Sequence, residues 1–535
     1  MTTNHLAFVP KPAHRQLGAE KFDDQGSIEK SLTAEVVIAL CGPLGTPLHE
    51  VADTFKTLLT SGDYSYDSVE IIRLSHKIRE ASNIGATERS IKVLIEAGNR
   101  LRRKKGNAVL ARMAIQQIAL ARAALQPKPD NSQAVLFDQT GKDTDVVTPT
   151  VSRRVCHIID SIKHIDELKL LRSVYGDMLH VVSVYTPIEK RIERLERRKA
   201  QQDEIHNLID RDSGEEVEHG QRVEDTFPQA DFFLRVDMET DAERKVRVRR
   251  FLDLMLGTRI VTPTAHERAM YAAYSAARNS ACLSRQVGAA MTSHAGDVIS
   301  TGWNDVPRAF GGLYETAGQN SSHDKDMRCW NLSNGRCFND EEKNYLAGTM
   351  ARRLREVGLV TNENEDKVMR LIRDDSQVKN LIEFSRAVHA EMHALLNAGS
   401  SHGGFIRGGS VFVTTYPCHS CARHLVAAGI KDVYFLEPYR KSLATKLHAD
   451  AITEHEDATD KVRIMPFDGV APSRFLKFFS AHPGGRKDQR GQMNVRPAHP
   501  VTSITLEAIP TLESFAVRAL QSPDLPERAP EEDRG

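Results

Sequence analysis

The chain has 535 residues, enough for two or three hydrophobic cores. Its 72 Lys and Arg balance 72 Asp and Glu, so no overall positive field favours nonspecific binding of nucleic acid. Two of the seven cysteines form a C-x-x-C, which favours metal ligation in a reducing compartment over disulfides. No apolar run is long enough to span a bilayer. We therefore expect a cytoplasmic protein. Residues 1–32 are polar and aperiodic, which predicts an N-terminal arm.

Strands and helices are predicted to alternate between residues 33 and 257. Residues 35–41 (EVVIALC) form an apolar run rich in β-branched side chains, which predicts a buried strand, and 49–59 follow with helical spacing. Further strands are predicted at 154–160, 179–185 and 231–236, and further helices at 166–175 and 187–202. This alternation is typical of a parallel α/β sheet. We expect loops at 127–150 and 203–220.

The turn after the first predicted strand reads Gly42-Pro-Leu-Gly45-Thr46-Pro-Leu-His49. A working phosphate loop ends in Gly-Lys-Ser/Thr, which this turn lacks, so phosphotransfer is not expected. In its later segments the region 34–255 resembles a P-loop nucleotide-kinase-like domain; these segments are 154–160, 179–185, 191–198 and 225–231. The resemblance implies a degenerate loop at Gly42, Gly45 and Thr46 that either binds a regulatory nucleotide or is purely architectural and oligomerising.

A second α/β pattern spans residues 263–480. Helices are predicted at 265–279, 388–397 and 420–428, and strands at 287–291, 298–301, 410–415 and 432–436. A long polar insert at 311–383 interrupts this pattern. From 483 to 535 the composition turns charged and Pro-rich, which predicts a flexible tail with one helical patch at 512–520.

Two short motifs carry the chemistry: His389-Ala-Glu391 and Pro417-Cys418-His-Ser-Cys421. One imidazole and two thiolates bind Zn²⁺ and leave its fourth position open to water. The H-x-E and P-C-x-x-C pair is the signature of zinc nucleobase deaminases. It predicts His389, Cys418 and Cys421 as ligands and Glu391 as the catalytic group that moves protons from the attacking water to the ring nitrogen and the leaving ammonia.

The alternative reading of these motifs is a structural zinc site. Such a site normally has four protein ligands, and His393 or His419 lies close enough in the sequence to supply the fourth. The glutamate at the required offset and the proline before the first cysteine are not explained by this alternative.

Three further motifs in residues 263–480 resemble the deoxycytidylate deaminase family of the zinc-dependent cytidine deaminase superfamily. They are SRQVGA at 284–289, TGWNDVP at 301–307 and MPFDGVAP at 465–472. The resemblance implies a three-layer α/β/α domain over 258–482 and attack on C4 of a cytosine. By the same resemblance Asn304 contacts the deoxyribose and Tyr416 borders the base. Arg285, Arg440 and Lys441 are candidates for phosphate contact.

Related deoxycytidylate deaminases carry a second, structural zinc ion, which the resemblance places in the insert. Its ligands would come from Cys282, His323, Cys329 and Cys337. The alternative is free cysteines in a segment that covers the substrate.

The whole architecture resembles bacterial anti-phage deoxycytidine-nucleotide deaminases. That resemblance implies conversion of dCTP, dCMP or both to dUTP or dUMP, which depletes dCTP during infection. It also implies that the protein forms homo-oligomers and that its activity is repressed before infection, in some members by a small RNA. One alternative is a pyrimidine-salvage dCMP deaminase with a regulatory domain. Another is a regulatory scaffold with an inactive catalytic site. A deaminase of single-stranded nucleic acid is a further one, which the zero net charge and 6% aromatic residues disfavour.

Overall fold

The computed structural model describes residues 32–521 apart from short gaps. The gaps are 86–89, 126–152, 198–221, 237–239, 317–325, 333–334, 439–441, 482–484, 488, 494–496, 503 and 507. The predicted arm up to residue 31 and the predicted loops at 127–150 and 203–220 therefore lie outside the described residues.

Strands and helices alternate along both halves of the chain. The strands are β1 (Val36–Cys41), β2 (Ser68–Arg73), β3 (Val155–Ile162), β4 (Leu179–Tyr185), β5 (Phe232–Arg235), β6 (Gly288–Thr292), β7 (Val298–Trp303), β8 (Ser410–Thr415), β9 (Asp432–Glu437), β10 (Ile452–Thr453), β11 (Val462–Pro466) and β12 (Gly469–Val470). The helices before residue 280 are α1 (Leu48–Leu59), α2 (Leu74–Ala81), α3 (Ile91–Lys105), α4 (Val109–Leu125), α5 (Ile165–Tyr175), α6 (Ile188–Arg197), α7 (Val223–Thr226), α8 (Asp241–Leu256) and α9 (Ala265–Ala277). The later helices are α10 (Phe338–Glu356), α11 (Glu365–Asp375), α12 (Ala390–His402), α13 (His419–Ala427), α14 (Ala444–Leu447), α15 (Phe475–Phe479) and α16 (Ile509–Gln521).

The first sheet has the order β12-β5-β4-β1-β3-β2, and β1 to β5 run parallel. All six residues of β1 are buried because helices cover both faces of the sheet. Alternate β1 residues on one face pack with α1 and α8, and those on the other face pack with α4 and α5. The predicted parallel α/β class is confirmed for this half, whereas its kinase-like identity stays a prediction.

The second sheet has the order β10-β11-β9-β8-β6-β7. Strand β6 is antiparallel to both of its neighbours, and β8, β9, β11 and β10 are parallel. Helix α9 packs on one face, and α12 and α13 pack on the other. The predicted order of helices and strands in this half is confirmed.

Two glycines allow helices to lie against this sheet at backbone distance. A Cβ on Gly288 would lie 1.9 Å from the carbonyl oxygen of Ala273 in α9. A Cβ on Gly302 would lie 2.3 Å from the backbone nitrogen of Ala394 in α12. The strand that carries Gly302 therefore sets the position of α12, the helix that begins after His389.

The two halves share a sheet, because β12 pairs with β5 in the first sheet. Buried Glu267, whose carboxylate belongs to the capping box of α9, accepts hydrogen bonds from the Val470 backbone nitrogen at 2.9 Å and from Arg250 of α8 at 2.7 and 2.8 Å. A single carboxylate thus ties α8, α9 and β12 together.

The structure differs from the predicted flexible tail over its last described part. Helix α16 lies where the helical patch was predicted, but it packs against α4 and α5. Glu513 is buried and accepts hydrogen bonds from Arg122 and from the Tyr175 hydroxyl. The sequence did not indicate this contact, because the composition of the segment is charged and because the partners of Glu513 lie more than 300 residues away.

Among the described helices, none combines the length and the apolar character needed to cross a membrane.

Candidate functional site

The four predicted catalytic and metal-binding residues lie at the N-termini of two helices. His389 occupies the position before α12, and Glu391 lies in its first turn. Cys418 occupies the position before α13, where its sulfur accepts a hydrogen bond from the Cys421 backbone nitrogen at 3.4 Å. Helix α13 follows the end of β8, and Val388, just before α12, pairs with Asp305 just after the end of β7. The first residues of β6 pair with the last residues of both β7 and β8, so the two motifs lie at the same end of the sheet. The positive end of α13 favours a thiolate at Cys418.

The three predicted ligands converge on one point. Nδ1 of His389 lies 3.3 Å from the sulfur of Cys418 and 3.4 Å from the sulfur of Cys421, and all three atoms lie within 4.8 Å of one another. In a tetrahedral zinc site, nitrogen and sulfur ligands at about 2.0 and 2.3 Å from the metal are about 3.5 Å apart. The donor set and its spacing therefore fit zinc.

The close contacts within this group of side chains shift their pKa values. Contact with Cys421, and after it the imidazole of His389, lowers the pKa of Cys418 to about 4. Contact with Cys418 raises the pKa of His389 to about 9. Burial raises the pKa of Glu391 to about 7. A carboxyl group that titrates near neutrality can both accept and donate a proton in one reaction cycle.

The group of ligands has three members within the described part of the chain. The imidazole of His393 is engaged elsewhere: its Nδ1 accepts from the Trp303 backbone nitrogen, and its Nε2 lies 3.2 Å from the amide nitrogen of Asn397. Neither His393 nor His419 joins the group. Three protein ligands leave the fourth position for a water molecule, which favours the catalytic reading over the structural one.

A cavity of about 950 Å³ opens beside these ligands. His389, Glu391 and Cys418 line one part of it. Asn304, Tyr416 and Arg285, the predicted substrate-binding residues, line it as well, so the structure brings them to the metal-binding residues.

Each of these three side chains already has a protein partner. Asn304 accepts from the Val287 backbone nitrogen at 2.7 Å and donates to the Arg285 carbonyl at 2.9 Å, so it fixes the loop before β6. The Tyr416 hydroxyl donates to Glu454 at 2.9 Å. The Arg285 guanidinium is more than half exposed and lies 3.9 Å from the carboxylate of Glu437. Their contacts with substrate stay predictions.

The predicted ligands of a second zinc ion are in part outside the described residues. Cys282, Cys329 and Cys337 line the same cavity, but among the described residues they do not form a group of ligand atoms within 4.8 Å. His323 lies outside the described residues, as do Arg440 and Lys441. The second site stays a prediction.

The loop at Gly42, Gly45 and Thr46 is contacted by the chain's own side chains. Lys163 donates to the Gly42 carbonyl at 2.6 Å, and His49 is hydrogen-bonded to Asp160. Gly45 has a φ of 88°, which favours glycine, and a Cβ there would lie 2.9 Å from the Arg191 backbone. Nucleotide binding at this loop stays a prediction.

Sequence reasoning missed several residues of the cavity. Lys343 and Lys379 line it from the insert, and Arg386 lines it from the segment that follows the insert. Glu454, behind the lining, accepts the Tyr416 hydroxyl. Only Arg386 had a signal in the sequence, since it lies three residues before His389. The other three depend on how distant segments fold against the site.

Part of the chain is similar in sequence to known proteins. Residues 263–437 match the family model described as the cytidine and deoxycytidylate deaminase zinc-binding region. The chain is 43% identical over 56 residues to ComE operon protein 2 of Bacillus subtilis, covering 10% of this chain and 29% of that protein. It is 26% identical over 170 residues to the deoxycytidylate deaminase of Enterobacteria phage T2, covering 32% and 78% respectively.

One solved structure with a detected similarity is the dCMP deaminase from the cyanophage S-TIM5 in complex with dCMP and dUMP. The identity is 19%, the TM-score is 0.23, and the match covers 39% of this chain and 99% of that one. The match to ComE operon protein 2 spans less than a third of the length of that relative.

Proposed function

We propose that this protein is a zinc-dependent hydrolase that deaminates free deoxycytidine nucleotides. The reaction replaces the 4-amino group of cytosine with an oxygen from water and releases ammonia, so that dCTP or dCMP becomes dUTP or dUMP. The observation that carries the proposal is the convergence of His389, Cys418 and Cys421 beside buried Glu391 within the stretch that matches the deaminase zinc-binding region.

His389, Cys418 and Cys421 would hold the metal. When bound, zinc supplies Lewis acidity that makes a water molecule nucleophilic at neutral pH. The chain's own contribution is proton transfer and positioning. Glu391, whose pKa burial raises to about 7, would take one proton from the attacking water and deliver it to N3 of the ring. It would then take the second proton from the same oxygen and deliver it to the amino group, which leaves as ammonia as the C4–N bond breaks and the C4 carbonyl forms. Tyr416, held by Glu454, forms a wall of the cavity beside the base.

The wider role follows from the architecture as a proposal. The resemblance of residues 34–255 to a nucleotide kinase, ahead of a stretch similar to deaminases, supports depletion of dCTP in anti-phage defence. A regulatory nucleotide or an inhibitory small RNA is proposed as a partner, and the assembly is proposed to be a homo-oligomer. A pyrimidine-salvage dCMP deaminase is the alternative within the same chemistry, and a deaminase of single-stranded nucleic acid is the alternative substrate class.

The test is a substrate panel with the purified zinc-loaded protein. dCTP, dCMP, CTP, cytidine and single-stranded DNA are incubated separately, and ammonia and uracil products are measured. We expect product from the free deoxycytidine nucleotides. Product from the polymer alone would contradict the proposal.

A further inference from the structure

A short exposed segment after β10, residues 454–456, supports one wall of the cavity. Its first residue, Glu454, accepts a hydrogen bond from the hydroxyl of Tyr416 at 2.9 Å. Tyr416 lines the cavity, and its ring lies edge-on to the ring of Phe435 in β9, with 4.9 Å between the ring centres. The phenol is therefore held at both ends, at the ring by β9 and at the hydroxyl by Glu454.

The last residue of this segment is bound by the first half of the chain, residues 33–257. The carboxylate of Glu456 forms an ion pair with Arg235 at the end of β5. Arg235 is only 7% exposed, and its backbone nitrogen donates to Asp468 at 3.0 Å. An ion pair whose cation is buried on a fixed backbone restrains its partner more firmly than two mobile surface side chains do. The position of Glu456 is therefore set by the first sheet.

The middle residue of the segment, His455, borders helix α6 of the first half. Its Nδ1 lies 3.7 Å from the carboxylate of Glu189, in the first turn of that helix. Both side chains are more than half exposed, so this pair contributes little energy by itself. It shows that two elements of the first half, β5 and α6, adjoin the segment that holds Tyr416.

The groups assigned to the chemistry are supported differently. Helix α12, which carries Glu391, and helix α13, which follows Cys418, pack in an apolar cluster whose described members all lie between residues 287 and 464. The apolar packing of these two helices is therefore internal to the second half of the chain. The support of the Tyr416 hydroxyl is shared with the first half.

We propose that the first half of the chain positions Tyr416 through the segment 454–456, and that Glu456 and Arg235 are the positioning residues. This assignment rests on the proposed function, in which Tyr416 forms the wall beside the base. Because that wall contacts the base and Glu391 transfers the protons, the contact sets the affinity for the nucleotide and leaves the rate of the bound complex unchanged.

The test removes the ion pair from its exposed side, with Glu456→Ala in the full-length zinc-loaded protein. The backbone carbonyl of Glu456 accepts from Arg463 at 2.8 Å, a contact that alanine keeps. Steady-state constants are measured for dCMP and dCTP. KM should rise about threefold for each, since one ion pair is lost and the base is common to both. We expect kcat to stay within about twofold.

Two variants control for charge and for the segment itself. Asp457→Ala removes an exposed acid from the next position, and Asp457 has no ionic partner within the described part of the chain, so KM should not change. Glu456→Gln keeps an acceptor for Arg235 and should show a smaller rise than Glu456→Ala. Zinc content and melting temperature, measured for each variant, identify a variant that has misfolded.

A double-mutant cycle tests whether the effect passes through Glu454. In Glu454→Ala the tyrosine has already lost Glu454 as its acceptor, so adding Glu456→Ala should raise KM by less than about 1.5-fold more. The proposal is overturned if the two increases multiply, or if Glu456→Ala alone leaves both KM values unchanged. A lower KM for dCTP than in the wild type would also overturn it, because loss of a negative charge near the triphosphate would then explain the effect.

Hydrogen exchange separates this inference from the proposed function, because it needs no turnover. The backbone nitrogen of Tyr416 donates to the Glu437 carbonyl at 2.8 Å, so exchange of this amide reports how firmly the wall is held. Suppose that the zinc-loaded wild type deaminates neither nucleotide. If exchange at Tyr416 then rises in Glu456→Ala and Glu454→Ala but not in Asp457→Ala, the proposed function is wrong and the positioning contact stands. If exchange is then unchanged in Glu456→Ala, both are wrong.

Discussion

Replacing Gly302 with alanine should abolish the proposed deamination from a position that does not line the cavity. The new Cβ would lie 2.3 Å from the Ala394 nitrogen and 2.5 Å from the Ala390 carbonyl oxygen, both on the backbone of α12. Non-bonded heavy atoms prefer about 3.5 Å, so the helix must move by roughly 1 Å. This helix carries Glu391, and a displacement of about 1 Å at a catalytic group can cost about 100-fold in rate. Overpacking should also lower the free energy of unfolding by about 1–3 kcal/mol.

The assay is kcat with saturating dCTP and dCMP, together with zinc content and thermal unfolding. Gly399→Ala is the matched control, because Gly399 lies on the same helix with no atom within 4 Å of its added Cβ. Alanine at an exposed helical site stabilises by up to about 1 kcal/mol, so this variant should keep its activity. Full kcat in Gly302→Ala, with native zinc content, would refute the argument that this contact positions Glu391.

Three further substitutions probe the metal, the base-binding wall and the C-terminal helix. Cys418→Ser should abolish zinc binding and turnover, measured by metal analysis and ammonia release, because a hydroxyl replaces the thiolate ligand. Glu454→Ala should raise KM about fivefold with little change in kcat, since Tyr416 loses one hydrogen bond. Glu513→Ala should lower the free energy of unfolding by about 3 kcal/mol in denaturant titrations, because it leaves Arg122 and the Tyr175 hydroxyl short of a buried partner.

Each of these three predictions would be contradicted by a different outcome. Native zinc content in Cys418→Ser would remove that residue from the ligand set. Glu454→Gln keeps an acceptor for the tyrosine and should retain the wild-type KM; a loss equal to that of Glu454→Ala would show that the carboxylate charge matters instead. An unchanged denaturation midpoint in Glu513→Ala would mean that its contacts with Arg122 and Tyr175 contribute nothing to stability.

The grouping of the three predicted metal ligands could be predicted because its determinants are local. His389, Cys418 and Cys421 lie next to helix starts, and short motifs fix both the ligand types and their spacing. Strand β1 was equally clear, since a fully buried parallel strand shows as an uninterrupted apolar run.

What the sequence could not predict depends on distant contacts. The insert reads as polar, yet α10 and α11 pack together through Ala347, Ala351 and Ile372, a small core that composition does not indicate. Strand β12 is only two residues long, and it forms by pairing with the edge strand β5 of the first sheet, which is distant in the sequence. Lys343 and Lys379 reach the cavity through this tertiary packing, and so no sequence motif marks them.

The central claim is tested most directly by comparing the wild type with Glu391→Gln in the same zinc-loaded form. Ammonia release from dCTP and dCMP is measured beside zinc content. The account predicts stoichiometric zinc in both proteins, turnover in the wild type, and a loss of at least about 100-fold in Glu391→Gln, because the side chain that transfers the protons is gone. Undiminished turnover in Glu391→Gln, or no turnover of either nucleotide by the zinc-loaded wild type, would contradict it.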